Sequence, residues 1–254
     1  MKTLVERSLP EAEQGRLNSY RARLATGAAD LRAAQSLRFM IFNLELQEGM
    51  AQSYASCSDA DEFDAVCDHL MLEDEESGQI VGTYRMQTGL RAAAQLGYYS
   101  EREFDFRPYE GLRPHMLELG RACIARRHRN YAALSALWRG IVTYAQAHGQ
   151  RYLIGCSSLS SQDGSVAAAV FERLEPHLAT PELRTQPQPA YVCPLPRAAP
   201  ARLAEVPKLL SAYLALGAQI CGPPAIDREF KTIDFLTFLD LGTLPESTVR
   251  RYLA

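Results

Sequence analysis

The segment that decides the fold is MLELGRACIARRHRNYAALSALWRGIVTYAQAHGQRYLIGCSSL, residues 116–159. Residues 116–124 and 151–159 are short, mostly apolar runs, which are typical of buried β-strands. Between them an Arg-rich loop leads into a helical pattern that begins near Tyr131 and is stopped by Gly149. The segment therefore predicts a strand, a basic loop, a helix and a second strand at the centre of the chain.

Elements of both kinds flank this unit, and hydrophobic periodicity identifies them. Helices are predicted at 31–46, 166–174 and 207–217, and strands at 20–26, 68–74, 80–89, 220–222 and 232–241. Residues 176–207 are rich in proline and predict an extended connection within the domain, because the single helix and two strands after it are too few to stand alone.

The order of these elements predicts an α/β (α+β) fold with a mixed, mostly antiparallel central sheet flanked by helices. Residues 20–254 are expected to form one domain, with the Pro-rich connection at 176–207 inside it. Residues 1–19 are polar and predict a loosely structured N-terminal segment. A chain of 254 residues is long enough to bury a core without metals or disulfides.

Composition excludes several classes of function. The net charge of −3 argues against a dedicated nucleic-acid binder. No apolar run is long enough to span a bilayer, and the N-terminus lacks the apolar stretch of a signal peptide. The cysteines form no C-x-x-C motif and the histidines show no metal-ligand spacing, so we expect reduced thiols, no metal and a cytoplasmic location.

Charged residues inside apolar strands are the first candidates for chemistry. Glu118 and Arg121 interrupt the strand at 116–124, and Arg85 interrupts the strand at 80–89. Positions three apart normally face opposite sides of a strand, but a bulge at Gly120 would bring Glu118 and Arg121 to one side. The alternative is a structural ion pair between them, since a buried charge needs a partner.

Two further patterns carry charge. The loop that contains Arg126, Arg127 and Arg129 precedes a helix N-terminus, which favours phosphate, although a solvated basic loop is the alternative. Residues 59–64 read D-x-D-x-x-D, but they lack the glycine and the final glutamate of an EF-hand. Helix capping would explain one or two of these aspartates without any ligand.

Together these segments resemble the GNAT superfamily, and within it the hemolysin-like, acyl-carrier-protein-dependent N-acyltransferases of ornithine-lipid synthesis. The resemblance covers residues 20–240. The chain is also similar, more distantly, to acyl-homoserine-lactone synthases. The resemblance implies a single GNAT-like domain that moves a (3-hydroxy) fatty acyl group to the α-amine of ornithine. The specific pieces include LRFMIFNLE (37–45), DADEFD (59–64), GTYRMQTG (82–89), ELGRACIARRHRN (118–130) and LIGCSSL (153–159).

The resemblance also implies roles for individual residues. Glu118 is the expected general base, and Arg85 and Arg121 are expected to position the substrates. Ser157 or Ser158 is expected to assist the leaving thiolate. Ornithine brings an ammonium and a carboxylate, so acidic side chains and a guanidinium are expected around it. The candidates for the acceptor site are Arg38, Phe42, Glu45, Asp59, Asp61 and Asp64, with Asp227 and Glu229 as a second acidic group. The alternative is that these acids cap helices and pair with neighbouring arginines.

The donor loop departs from that of enzymes that use acetyl-CoA. Their pyrophosphate loop reads R/Q-x-x-G-x-G/A, whereas residues 127–132 place Asn130 at the first glycine and Tyr131 next to it. This implies no tightly bound cofactor and an acyl-phosphopantetheine donor presented by acyl-carrier protein, with peripheral contact at the inner membrane. The expected contact residues are Cys123, Ile124, Arg126, Arg127, Arg129, Asn130 and Ala132. The rival interpretation from another class is a non-catalytic protein that binds acyl-carrier protein or a membrane surface. Among enzymes, the alternatives are an N-acyltransferase for another amino acid and a lactone-forming synthase.

Overall fold

The computed structural model describes residues 19–196, 205–245 and 248, so the predicted N-terminal segment 1–19 lies almost entirely outside it. The described residues form an eight-stranded sheet. Its strands are β1 (Tyr20–Leu24), β2 (Asp68–Asp74), β3 (Ile80–Thr88), β4 (Met116–Ile124), β5 (Tyr152–Leu159), β6 (Gln219–Ile220), β7 (Ala225–Asp227) and β8 (Thr232–Asp240). The α-helices are α1 (Ala28–Phe39), α2 (Ser53–Ser56), α3 (Gly89–Ala94), α4 (Tyr131–Ala147), α5 (Gly164–Leu174) and α6 (Lys208–Ala215).

The strands lie in the order β1-β2-β3-β4-β5-β8-β6, and β7 also pairs with β8. All neighbours are antiparallel except β4 and β5, which are parallel because α4 crosses over between them. The predicted mixed, mostly antiparallel sheet flanked by helices is confirmed. The helix predicted at 31–46 is α1 followed by a π-helical turn, Met40–Glu45.

Strands β4 and β5 pair only at their beginnings. Residues Met116–Glu118 face Tyr152–Ile154, and beyond this point the two strands diverge. Gly155 lies at the point of divergence, where a Cβ would stand 2.1 Å from the carbonyl oxygen of Leu119. The absence of a side chain at Gly155 thus allows the backbones to touch before they separate into a V.

A bulge shapes the free part of β4. The pairing with β3 shifts so that Thr83 faces Cys123 and Arg85 faces Gly120, which leaves one extra residue on β4. Arg121 is in the left-handed region with a φ of 48°, so the bulge lies one residue beyond the expected Gly120. It places Glu118 and Arg121 on one face, where both contact Tyr99.

The two faces of the sheet are covered differently. On one face, α4 packs Leu137 and Ile141 against Leu70 and Leu72 of β2 in the largest apolar core. The other face buries polar side chains under α1 and the 3-10 turns at Glu62–Ala65 and Tyr99–Arg102. Among the helices described, none is long and apolar enough to cross a membrane.

The Pro-rich connection is bonded into the domain where the structure describes it. Its first part, up to residue 196, forms short 3-10 turns and isolated bridges, such as Val192 to Ala225 and Leu178 to Ile220. Residues 197–204 of the predicted connection lie outside the described residues.

Candidate active site

A cavity of about 240 Å³ lies where β4 and β5 diverge, and we call it the splay cavity. It has an apolar wall on the α4 side of the sheet and a polar wall on the opposite side. The apolar wall includes Tyr84, Trp138, Leu153, Leu210, Tyr213 and Leu239. The polar wall includes Glu48, Arg85, Gln87, Tyr99, Glu118, Arg121, Cys156, Asp227 and Asp234.

Glu118 is buried at the apex of this cavity. One carboxylate oxygen accepts hydrogen bonds from the backbone N–H of Ser100 at 2.8 Å and from its hydroxyl at 2.6 Å. The other accepts one from the backbone N–H of Tyr99 at 2.9 Å. Burial raises the pKa of Glu118, and these bonds and Arg85 only partly oppose that rise. A carboxylate with a raised pKa at the edge of a cavity suits a general base.

The ion pair between Glu118 and Arg121 that the sequence allows is not formed. Arg121 instead donates to Asp61 at 3.0 Å, and its guanidinium stacks over the rings of Tyr99 and Phe230 at 4.8 and 4.4 Å. Glu118 therefore has no cationic partner in direct contact among the described residues.

Arg121 belongs to a buried group that we call the ionic network. Arg38 binds Asp64 in a two-pronged contact at 3.0 and 2.6 Å. Arg85 contacts Asp61 and Asp64, and Asp59 lies 3.6 Å from the Nε atoms of both Arg38 and Arg121. The members of the network are Arg38, Arg85, Arg121, Asp59, Asp61 and Asp64.

The ionic network is electrically balanced, with equal numbers of guanidinium and carboxylate groups. Burial favours neutral carboxyls, but the neighbouring arginines outweigh it and hold the pKa values of Asp61 and Asp64 below their usual range. Asp61 also caps the 3-10 turn that follows it, as the capping alternative predicts. The three aspartates and Arg38 lie behind the cavity wall, while Arg85 and Arg121 reach it.

The predicted donor loop lies at the end of β4. Asn130 caps α4 by accepting a hydrogen bond from the backbone N–H of Ala133 at 2.9 Å, and Ala132 lies in the first turn. Arg129 pairs with Glu45 at 2.6 Å, which places Glu45 at this loop instead of in the splay cavity. Arg126 and Arg127 are exposed. Of the remaining predicted donor residues, Ile124 ends β4, and Cys123 is buried in a cluster with Phe42 and Phe230.

Sequence reasoning missed most of a second polar group, which we call the acidic cluster: Glu103, Asp227 and Asp234. Their carboxylate oxygens lie within 4.8 Å of one another, and all three side chains are buried. Burial raises the pKa of Asp234 to about 6 and that of Glu103 well above its usual range. Repulsion by Asp227 adds to the rise at Asp234, and repulsion by Asp234 and Asp227 adds to the rise at Glu103. Glu229, the predicted companion of Asp227, is exposed outside the cavity.

Other polar groups on the cavity wall are Gln87 and Ser157. Gln87 faces Glu118 across the β3–β4 pair and is 1% exposed. Its side-chain amide has no hydrogen-bond partner among the described residues, so it is available to a ligand. Ser157 accepts a hydrogen bond from the hydroxyl of Thr237 at 2.8 Å.

Comparisons with known proteins agree with this geometry. Residues 37–139 match the model of the acetyltransferase (GNAT) domain. The chain is 32% identical to an L-ornithine N(alpha)-acyltransferase of Brucella abortus, over 94% of this chain and 90% of the relative. It is 33% identical to one of Rhodobacter capsulatus, over 90% and 92% respectively. The chain belongs to the L-ornithine N(alpha)-acyltransferase family.

Solved structures share the fold of this family member at low identity. An N-acyl amino acid synthase from uncultured soil microbes, FeeM, superposes with a TM-score of 0.54 at 11% identity, over 88% of this chain and 91% of that one. The AHL synthase LasI gives 0.50 at 12% identity, over 87% and 90%. The resemblance stated from the sequence is confirmed: the protein is a GNAT-fold acyltransferase.

Proposed function

We propose that the protein transfers a (3-hydroxy) fatty acyl group from the thioester of acyl-carrier protein to the α-amine of ornithine, which forms lyso-ornithine lipid. One observation carries this proposal: the splay cavity joins an apolar wall to a carboxylate-lined wall at the point where β4 and β5 separate. An acyl chain suits the first wall and a diamine the second. The names of the curated relatives support ornithine as the acceptor.

The reaction forms a C–N bond and breaks a C–S bond. The α-ammonium loses one proton to become nucleophilic, and the attacking nitrogen loses a second as the tetrahedral intermediate collapses. The thiolate takes up one of these protons and the other passes to water, so the products are an amide, a thiol and a proton. Glu118 is the proposed acceptor of the proton that the α-ammonium loses, because Glu118 lines the cavity and its pKa is raised.

Developing charge on the thioester oxygen requires N–H donors. The bulge at Arg121 turns the backbone of β4 out of its pairing with β3, and its N–H groups are the proposed donors. Arg85 and Arg121 are paired with the aspartates of the ionic network, so they fix the cavity wall without adding net charge. Ser157, on the wall beside β8, is the proposed group that assists the leaving sulfur.

The donor is proposed to enter along the N-terminus of α4. Asn130 already uses its side chain to cap the helix, and a phosphopantetheine arm carries one phosphodiester instead of a pyrophosphate. Exposed Arg126 and Arg127 present positive charge to an acidic carrier protein.

Peripheral contact with a membrane is part of the same proposal, since the product is amphiphilic. Met40 and Leu44 of the π-helical turn are 60% and 56% exposed. Leu46 follows them, lines the cavity and is 39% exposed, so this apolar patch lies where the cavity opens. Arg129 of the donor loop contacts Glu45 of the same turn, which places the patch next to that basic loop, and this combination favours a lipid surface.

The experiment that tests the proposal compares donors and acceptors directly. The protein is supplied with 3-hydroxyacyl carrier protein or the matching acyl-CoA, and with ornithine, norvaline, lysine or glycine, and amides are quantified by mass spectrometry. We expect ornithine amide to form fastest, and faster from carrier protein than from CoA. Equal or better kinetics with acyl-CoA would overturn the assignment of the donor. Faster acylation of glycine or norvaline than of ornithine would overturn the assignment of the acceptor.

A further inference from the structure

The acidic cluster has no cationic partner in the part of the chain that the structure describes. No Lys or Arg of that part lies within ion-pair distance of Glu103, Asp227 or Asp234, whereas every acid of the ionic network has one. Carboxylates this close repel one another, so they hold a shared proton or a cation between them. The cluster therefore takes up at least one positive charge that the described residues do not supply.

Its hydrogen-bonding capacity is also incomplete. Asp227 accepts from the backbone N–H groups of Glu229 and Phe230, each at 2.8 Å, and from the hydroxyl of Tyr99 at 3.2 Å. By contrast, one oxygen of Asp234 and one of Glu103 receive no hydrogen bond from any described donor, although the residues are 3% and 1% exposed. A shared proton can satisfy this pair, and a positively charged donor can replace it.

We propose that the acidic cluster binds the distal ammonium of ornithine, with Asp234 as the direct contact, Asp227 beside it and Glu103 behind. This inference rests on the proposed function and names the determinant of its acceptor. Asp227 and Asp234 line the splay cavity, so a ligand in the cavity reaches them. A primary ammonium has three N–H donors, which suits a few free carboxylate oxygens, whereas Ca²⁺ takes six to eight oxygen ligands.

The position of the cluster fits the length of ornithine. The Ser100 hydroxyl lies 2.6 Å from Glu118 and 3.5 Å from the sulfur of Cys156, which in turn lies 3.7 Å from Glu103 of the cluster. Glu118 and the cluster are therefore at most about 10 Å apart, a gap that a diamine with a hydrogen bond of about 2.9 Å at each end can bridge. The two nitrogens of extended ornithine are separated by roughly 6 Å. The distal nitrogen can thus lie at Asp234 while the α-nitrogen lies near Glu118. Held among carboxylates, the distal amine stays protonated and cannot attack the thioester.

The test measures kcat/KM for ornithine and for norvaline, which has the same carbon chain without the distal amine. Wild type, Asp234→Asn and Asp240→Asn are compared; Asp240 lies on the same face of β8 but pairs with Arg151 outside the cavity. Asp234→Asn is expected to lower kcat/KM for ornithine about 10- to 100-fold and to change that for norvaline by less than a few fold. Asp240→Asn is expected to change neither.

Several outcomes would overturn the inference. One is an equal loss for both substrates in Asp234→Asn, and another is an unchanged preference for ornithine. A third is a divalent metal that copurifies with the protein, is removed by chelation with loss of activity and is bound by wild type but not by Asp234→Asn. Acylation of ornithine by the wild type is a separate readout. If it does not occur, the proposed function is contradicted, whereas the role of the acidic cluster is judged from the comparison of ornithine with norvaline.

Discussion

Replacing Glu118 with Gln tests the proposed general base, because the side chain keeps its shape and loses only its ability to take a proton. Removing a general base typically lowers a rate by about 10²- to 10⁴-fold. We expect kcat for ornithine acylation to fall by that factor at neutral pH. The residual rate should rise as the pH is increased, since more of the α-amine is then already neutral in solution.

The structural cost of Glu118→Gln can be separated from the chemical one. A carboxylate accepts all three hydrogen bonds to Glu118, but the amide of Gln places an NH₂ group against at least one of the N–H donors. One buried donor left unsatisfied costs about 1–3 kcal/mol. For a chain of this size we expect the midpoint of thermal unfolding to fall by about 2–12 °C. The variant should therefore still be folded under assay conditions.

Ser100→Ala is the matched control. It removes the hydroxyl that donates to Glu118 at 2.6 Å but leaves the carboxylate in place. We expect a loss of stability of about 1 kcal/mol and a rate within a few fold of wild type. Glu118 is not the general base if Glu118→Gln retains activity within a few fold, or if Ser100→Ala loses as much activity as Glu118→Gln.

Three further predictions follow from the wall of the cavity and the donor loop. Gly155→Ala places a methyl group 2.1 Å from a carbonyl oxygen of β4, so unfolding temperature and activity should both fall. The pKa of Asp234 is raised to about 6, so its ionisation destabilises the fold. As the pH rises from about 4 through 6, calorimetry should show the wild type losing about 3 kcal/mol of stability relative to Asp234→Asn. Arg126→Glu with Arg127→Glu should slow turnover with carrier protein most at low salt, whereas Arg139→Glu, an exposed change on α4, should not.

Much of the fold could be predicted from local patterns. The alternation and apolar runs that define β4 and β5 give their bounds almost to the residue, because both strands are buried and flanked by clear turn signals. The divergence of these strands could not be predicted in the same way. It depends on the contact between Gly155 and Leu119 and on the bulge at Arg121, which join distant segments.

The candidate site was predicted unevenly for a related reason. Glu118 is predicted because a charge inside an apolar strand is visible in the sequence, and Asp234 in TIDFLTFLD carries the same signal. Glu103 lies in an irregular segment without such a signal. The aspartates at 59, 61 and 64 were expected at the acceptor, but their arginine partners come from α1, β3 and β4, which no local pattern brings together.

The proposed reaction is direct transfer from a carrier-protein thioester to the α-amine of ornithine in the splay cavity. The most direct test is a single turnover with stoichiometric acyl-carrier protein and ornithine labelled with ¹⁵N at the α position, followed by tandem mass spectrometry of product and protein. Direct transfer to the α-amine produces an amide whose nitrogen carries the label and leaves protein of unchanged mass at every time point. An acyl group on the distal nitrogen, or an acylated protein that forms and decays before product appears, would contradict it.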